Sequence, residues 1–312
     1  MQVAFFGTPP PSVKYLEALD ASEHEVVVAI TQPDRPAGRG RKLRKVPVRE
    51  AAERLGLPVL APASAADTEF LEELRGYEPE LGVVVAYGQI LRPKLLELPR
   101  EGFVNVHYSL LPALRGAAPV YGALRRGLTT TGVTIQRMVE ELDAGEIILQ
   151  EEVEILYEDN RGTLTERLTN VGVGLLLRAI DQIERGEAQF VPQDDSASDY
   201  VGRVETDDCR IEWNLPPEEL RNLVRACTPW PGAWCMLGDQ RIKVQDTHVV
   251  QSVLNKEGTP GEIVEIASDR GPVVAAGAGA VEITRLQPAG KRSMSGAEFS
   301  RGARLHPGDR LN

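Results

Sequence analysis

Short apolar runs rich in branched side chains alternate with stretches of helical spacing through the first half of the chain, and no other feature restricts its fold as much. Residues 3–6 precede a helical pattern over 12–19, residues 26–30 precede 46–55, and residues 81–86 precede 93–98. Strands joined through helices run parallel, so this alternation predicts an α/β domain built on a parallel sheet. Residues 103–107 continue the series. A helix opens near Pro119, where proline suits the first turn, and residues 133–138 read as a further strand. A longer helix over 163–183 closes the unit, with Leu164, Leu168, Val171, Leu175 and Ile180 at helical spacing and Arg167, Arg178 and Glu184 available for the wet face.

The pattern changes around 190–208, where Pro, Gln, Asp, Ser and Gly give the composition of an exposed connector. We place a first domain over 1–190, a linker over 191–207 and a second domain over 208–312. Past one helix at 217–226, the second domain consists of short β-rich runs at 233–237, 241–245, 262–266, 273–276 and 281–286. Their spacing and Gly-rich turns predict a small barrel. At 312 residues the chain is long enough for two such cores.

The most informative local pattern lies at two strand ends. Asn105 and His107 sit two residues apart at the end of an apolar run, so the strand period points both to one face. Asp143 follows the run 131–138 in a loop whose Ala144-Gly145 lets the backbone turn sharply. Either His107 or Asp143 alone reads as a core or turn residue. Together, at strand ends that open on the crevice where α/β sheets bind ligands, an amide, an imidazole and a carboxylate point to acyl transfer without a covalent enzyme intermediate.

Other features bound the chemistry. Gly7-Thr8-Pro9-Pro10-Pro11 stands where a dinucleotide fold carries GxGxxG, and its prolines cannot offer the backbone N–H groups that cradle a pyrophosphate, which disfavours nicotinamide or flavin. It reads either as a turn or as a ligand edge. The run 81–88 is a buried strand by pattern, with Tyr87 and Gly88 at its end. Pro229-Trp230-Pro231-Gly232-Ala233-Trp234 is a rigid turn with two packed aromatics or an interdomain contact. Cys209, Cys227 and Cys235 are too few and too irregularly spaced for a disulfide framework or a CxxC metal site, and are expected as reduced core residues. His24, His107, His248 and His306 are scattered, so no metal is expected. No apolar stretch approaches the ~20 residues of a membrane span, and the start lacks the pattern of a signal peptide, so a cytoplasmic location is the default. No coiled-coil pattern demands a dimer, and a monomer is expected.

A formal net charge of -11 argues against a polyanionic partner until its distribution is considered. Residues 34–49 carry seven basic residues against the single acid Asp34, and residues 285–312 carry six against two. Arg35, Arg39, Arg41, Lys42, Arg44 and Lys45, with Gly38 and Gly40 between them, form a cationic loop able to close over a phosphate backbone, or else a solvated loop. No aromatic interleaves it, so base stacking is not indicated.

In order along the chain, Thr31-Gln-Pro-Asp-Arg-Pro-Ala-Gly-Arg-Gly40, Val84-Val-Ala-Tyr-Gly88, Asn105-Val-His107, Ser109-Leu-Leu-Pro112, Arg115-Gly-Ala-Ala-Pro119, Thr131-Gly-Val-Thr134, Leu142-Asp-Ala-Gly145, Pro229-Trp-Pro-Gly-Ala233 and Leu286-Gln-Pro-Ala-Gly-Lys291 resemble the 10-formyltetrahydrofolate-dependent formyltransferases nearly end to end. The closest likeness is to the branch acting on initiator Met-tRNA. The resemblance implies a Rossmann-like, mostly parallel sheet domain followed by a small OB-like β-barrel. It implies Asn105, His107 and Asp143 as the catalytic trio, with Ser109, Leu110, Leu111, Pro112, Tyr87 and Gly88 on the 10-formyltetrahydrofolate co-substrate. The basic loop then meets the tRNA acceptor arm. Two departures stand out: the family usually follows GTP with Asp and an aromatic where this chain has Pro10-Pro11, and Ala113-Leu114 replaces an Arg-Trp pair. Rival readings are formylation of an amino-sugar nucleotide, 10-formyltetrahydrofolate hydrolysis, and a non-catalytic tRNA-binding module.

Overall fold

The computed structural model describes residues 1–37, 42–250, 258–266 and 269–312. The chain divides into two compact units. One comprises 1–119, 130–154 and 165–201, the other 120–129, 155–164 and 202–312.

The elements run β1 (Gln2–Gly7), α1 (Pro10–Asp20), β2 (Glu25–Ile30), β3 (Arg35–Ala37), β4 (Lys42–Arg44), α2 (Pro47–Leu55), β5 (Val59–Leu60), α3 (Thr68–Arg75), β6 (Leu81–Val85), α4 (Pro93–Leu96), β7 (Phe103–His107), β8 (Arg115–Gly116), α5 (Pro119–Arg125), β9 (Thr130–Arg137), β10 (Ile147–Glu154), α6 (Arg161–Glu184) and β11 (Tyr200–Val201). The first unit is built on a seven-stranded sheet in the order β10-β9-β7-β6-β1-β2-β5. Strands β7, β6, β1, β2 and β5 pair in parallel, as the alternation requires. The run over 133–138 departs from that pattern, because β9 lies antiparallel to both β7 and β10.

Strand order reverses on either side of β1, which leads to β2 on one flank and to β6 on the other. Open α/β sheets bind ligands beyond the carboxyl ends of the strands at such a switch point. The loops there are tied together: Thr8 Oγ1 and Gln32 Nε2 both donate to the Tyr87 carbonyl, at 2.9 and 3.0 Å. The triple proline begins a helix. Pro9 is the N-cap of α1 and the next two prolines fill its first turn, where no backbone N–H is needed. Ser12 Oγ then donates to the Val85 carbonyl at 2.6 Å, fastening α1 to the end of β6. Beneath these loops Phe6 meets Tyr87 and Phe103 edge to face, each at 5.3 Å between centroids.

The second unit adds α7 (Pro217–Cys227), β12 (Ala233–Leu237), β13 (Gln240–Val250), β14 (Ile263–Ile266), β15 (Pro272–Ala276), β16 (Gly279–Pro288), β17 (Met294–Ser295) and α8 (Gly296–Ala303). Its antiparallel strands follow the order β12-β13-β16-β15-β14, with β17 on β16. The barrel does not close strand on strand. The chain's last residues span the gap instead, through single bridges from Leu311 to Leu237 and from Arg310 to Glu262. Helix α8 was not expected from the sequence, although a capping box of Ser295 and Glu298 starts it. In the Trp-Pro turn Trp234 carries the Arg241 guanidinium 3.9 Å above its ring, while Trp230, 65% exposed, meets Arg161 at 5.7 Å.

Candidate active site

All three residues singled out at strand ends fall in the first unit and meet at one place. Asn105 and His107 alternate on β7 and stand opposite Gln136 and Thr134 of β9, so the four side chains share one face. His107 Nδ1 lies 3.6 Å from Asp143 Oδ1. His107 Nε2 donates to the Leu114 carbonyl at 3.0 Å, since a carbonyl only accepts. Both ring nitrogens thus face oxygens, Nε2 in a hydrogen bond and Nδ1 at a separation beyond one. Asn105 is half-buried, and among the described residues its amide makes no side-chain hydrogen bond. It remains available to a ligand.

Asp143 is surrounded by donors. Its Oδ2 accepts the Gly116 N–H at 2.8 Å and its Oδ1 accepts Gln136 Nε2 at 3.0 Å. The His107 ring lies on a third side. Its backbone takes φ 55°, an uncommon left-handed conformation for a residue with a side chain, at a cost of about 1–2 kcal/mol. Gly145 beside it is obligatory for a different reason. A Cβ there would sit 1.8 Å from the Arg137 carbonyl oxygen.

Gln193 holds this turn in place. Its Nε2 donates to the carbonyls of Asp143 and Gly145 at 2.9 and 2.7 Å, while its Oε1 accepts Arg115 Nε and Nη2 at 3.1 and 2.8 Å. Arg115 also pairs with Asp195 at 2.7 Å. Asp199 accepts the Leu114 N–H, and β11 pairs with β8. The segment read as an exposed connector therefore carries groups that fasten the site, and most of its residues are exposed all the same. Gln136, Gln193, Arg115, Leu114 and Gly116 escaped the sequence reading. Arg115-Gly116 was part of a recognised motif, but it takes the β8–β11 pairing and the bridge of Val191 to Ile147 to bring Gln193 beside it.

The residues expected on the co-substrate have mixed placements. Tyr87 is buried in the core and presents its carbonyl to the loops, and Gly88 takes φ +87°. Ser109 is buried and its hydroxyl donates to the Ala113 carbonyl at 2.6 Å; Leu111 is buried too, while Leu110 and Pro112 are half-buried. This turn is locked from behind. Thr134 Oγ1 donates to the Ser109 carbonyl at 2.6 Å and accepts the Leu111 N–H at 3.2 Å, and Gln150 Nε2 donates to both Leu111 O and Thr134 Oγ1. Thr134→Val keeps the shape but strips these partners of their bond, so we expect a loss of about 1–3 kcal/mol in a denaturant titration.

A cavity of about 90 Å³ opens beside Asp143. Gln89, Ile90 and Leu91, the residues after Gly88, line one side, and the segment from Gln136 to Asp143 lines the other. Ile90, Val139 and Leu142 are exposed at 67, 42 and 57%, an apolar rim that a flat organic ligand would cover.

Of the basic loop, Arg39 and Arg41 lie outside the described residues. Arg35 and Lys42 fall on the paired strands β3 and β4, and Arg44 and Lys45 are exposed. One of the scattered histidines does belong to a group of metal-ligand type: His24 Nε2 lies 3.3 Å from Asp181, and Glu184 completes the group. Distant segments build it, which local spacing could not reveal. Glu184 already accepts the Met1 amino group at 2.7 Å. No helix among the described residues is long and apolar enough to cross a membrane.

Comparison with known proteins places these observations. The family described as Formyl transferase matches residues 1–180, and Formyl transferase, C-terminal domain, matches 203–304. The methionyl-tRNA formyltransferase of Moorella thermoacetica is 42% identical over 311 residues, covering 100% of this chain and 99% of its own. Among solved structures, HypX from Aquifex aeolicus superposes with a TM-score of 0.69 at 18% identity, over 99% of this chain and 48% of its own. An N-formyltransferase from Helicobacter canadensis, solved with folinic acid and dTDP-3-aminofucose, gives 0.68 at 16% identity, over 91% of this chain and 98% of its own. At such identities these two structures support the fold alone.

Proposed function

The chain belongs to the formyl transferase family and is a formyltransferase, and on that premise we propose that it transfers a formyl group from 10-formyltetrahydrofolate to the free α-amino group of methionyl-initiator tRNA. The observation that carries the reading is the meeting of Asn105, His107 and Asp143 beside an apolar-rimmed cavity, in a chain 42% identical over its full length to a methionyl-tRNA formyltransferase.

The co-substrate fits the cavity by its chemistry. Ile90, Val139 and Leu142 offer apolar surface to a flat ring, and the lining amides of Gln136 and Gln89 are held in place by Asp143 and Gln193 and by Ala65 and Pro62. When bound, 10-formyltetrahydrofolate supplies the formyl group; every other part of the reaction falls to the chain. An α-amino group has a reference pKa of about 7.7 to 8.0, so an appreciable fraction, roughly a tenth to a sixth, is already neutral near pH 7 and able to attack. Attack on the formyl carbon places negative charge on its oxygen. The unengaged Asn105 amide and the Nδ1 edge of His107, whose Nε2 is committed to the Leu114 carbonyl, are the groups that meet that oxyanion. Asp143 orients His107 and takes the proton released by the attacking nitrogen, directly or through one water. Its left-handed turn aims the carboxylate at the histidine.

The cationic loop supplies the second substrate's anchor, because a small sugar nucleotide needs no such extended basic surface. Replacing Arg39, Arg41 and Lys42 together is expected to weaken binding of initiator tRNA and to lower the slope of log affinity against log salt by up to about 3. Binding measured across a salt series checks this. An unchanged slope assigns the loop to solvent.

A further inference from the structure

The second unit holds a pair of thiols that the proposed reaction does not use. Cys209 ends a short 3-10 turn at Asp207–Cys209, and Cys227 is the last residue of α7. Both are fully buried, and their sulfurs lie 2.6 Å apart. That is far inside the ordinary contact of two sulfurs and a short movement from the 2.03–2.05 Å of a disulfide. The backbones on both sides are fixed: the Cys209 N–H donates to Thr206, the Cys227 carbonyl accepts Gly232 N–H at 2.9 Å, and Ile211 bonds to Trp234 at 2.8 Å. Approach of the two sulfurs is therefore built into the fold.

We infer that Cys209 and Cys227 are a modification site, a dithiol that hydrogen peroxide converts to an intramolecular disulfide within the second unit. The roles of the two sulfurs differ. Cys227 donates its S–H to Cys209, and this bond, with Arg161 and Lys243 nearby, holds the Cys209 thiol below its usual range. The same bond and burial push the Cys227 thiol up. Cys209 is thus the thiolate that attacks. Its sulfur displaces hydroxide from the peroxide, the O–O bond breaks, and hydroxide takes up the released proton as water. The resulting sulfenic acid is then attacked by the Cys227 sulfur. An S–S bond forms, the S–O bond breaks, and a second water leaves with the Cys227 proton. Two thiols are oxidised and one peroxide is reduced. All three cysteines are free and buried, as expected of reduced core residues; what sequence spacing did not suggest is that Cys209 and Cys227 lie close enough to act as a pair.

The test uses the intact reduced chain. It is treated with hydrogen peroxide, quenched, unfolded and alkylated, and its thiols are counted by mass. The inference expects one alkylatable thiol in place of three, a mass loss of two hydrogens, a linked Cys209–Cys227 peptide pair, and return of all three thiols after reduction. The single variants separate the roles: Cys227→Ser leaves a sulfenic acid at Cys209 that a dimedone-type probe traps, whereas Cys209→Ser leaves Cys227 unmodified. Three free thiols after treatment, or a link through Cys235 or between two chains, overturns it.

Discussion

An Asp143→Ala variant of the intact chain is expected to lose about 10²- to 10⁴-fold in kcat for formyl transfer, the range for removing a positioned general base. The carboxylate is exchanged here at a site where Gly116 N–H and Gln136 Nε2 donate to it and the His107 ring lies 3.6 Å away. Asp143→Asn should fare little better, because one of its two oxygens becomes an NH₂ that faces a donor. Asn105→Ala and His107→Ala remove oxyanion donors, and each is expected to cost about 10²- to 10³-fold. The double variant Asn105→Ala/Asp143→Ala should lose less than the product of the two single losses, because residues that act as a unit are not additive. Circular dichroism and a denaturant titration establish that each variant is folded. Near-normal turnover in a folded Asp143→Ala chain would remove that residue from the mechanism.

Gln193→Ala should lower kcat by roughly 10- to 10²-fold with little change in KM for either substrate, which separates a positioning role from a binding one. The amide makes no hydrogen bond to His107 among the described residues, yet it holds the carbonyls on both sides of Ala144 and also reaches Gln136 Oε1 at 3.3 Å. Without it the left-handed Asp143 turn has less to keep it in place, and displacement of a reacting group by about 1 Å costs on the order of 10²-fold. Gln193→Glu tests the direction of the bond. Glutamate accepts from Arg115 as glutamine does but cannot donate to Asp143 O and Gly145 O, so it should not restore the rate. Rescue by glutamate would show that the Arg115 contact alone matters.

Much of this was legible because it rests on local periodicity. The two-residue period of a strand places Asn105 and His107 on one face whatever the rest of the fold does, and the apolar runs before residue 110 announce parallel strands. What stayed hidden depends on distant segments. The direction of β9 is a tertiary choice, since alternation in a sequence does not tell parallel from antiparallel neighbours. Gln193 sits in a polar stretch with the composition of a linker, and the bridge of Val191 to Ile147, with the pairing of β8 and β11, holds it beside Asp143. The motif Ser109-Leu-Leu-Pro112 was recognised as functional, but its buried serine and leucine brace the turn after His107, and the cavity is walled by 89–91 and 136–145. A strong motif thus marked the neighbourhood of the site without saying which of its atoms face the ligand. The two sulfurs in the second unit were invisible for a related reason: the 17 residues between them carry a helix whose length and direction decide where Cys227 ends.

The most direct test is a formyl-transfer assay of the intact chain with 10-formyltetrahydrofolate and one of three acceptors: methionyl-initiator tRNA, an amino-sugar nucleotide, or water alone. We expect N-formylmethionyl-tRNA as the product, with turnover that falls by at least about 10²-fold in Asp143→Ala. Formylated sugar nucleotide, free formate as the main product, or undiminished turnover in the folded variant would contradict it.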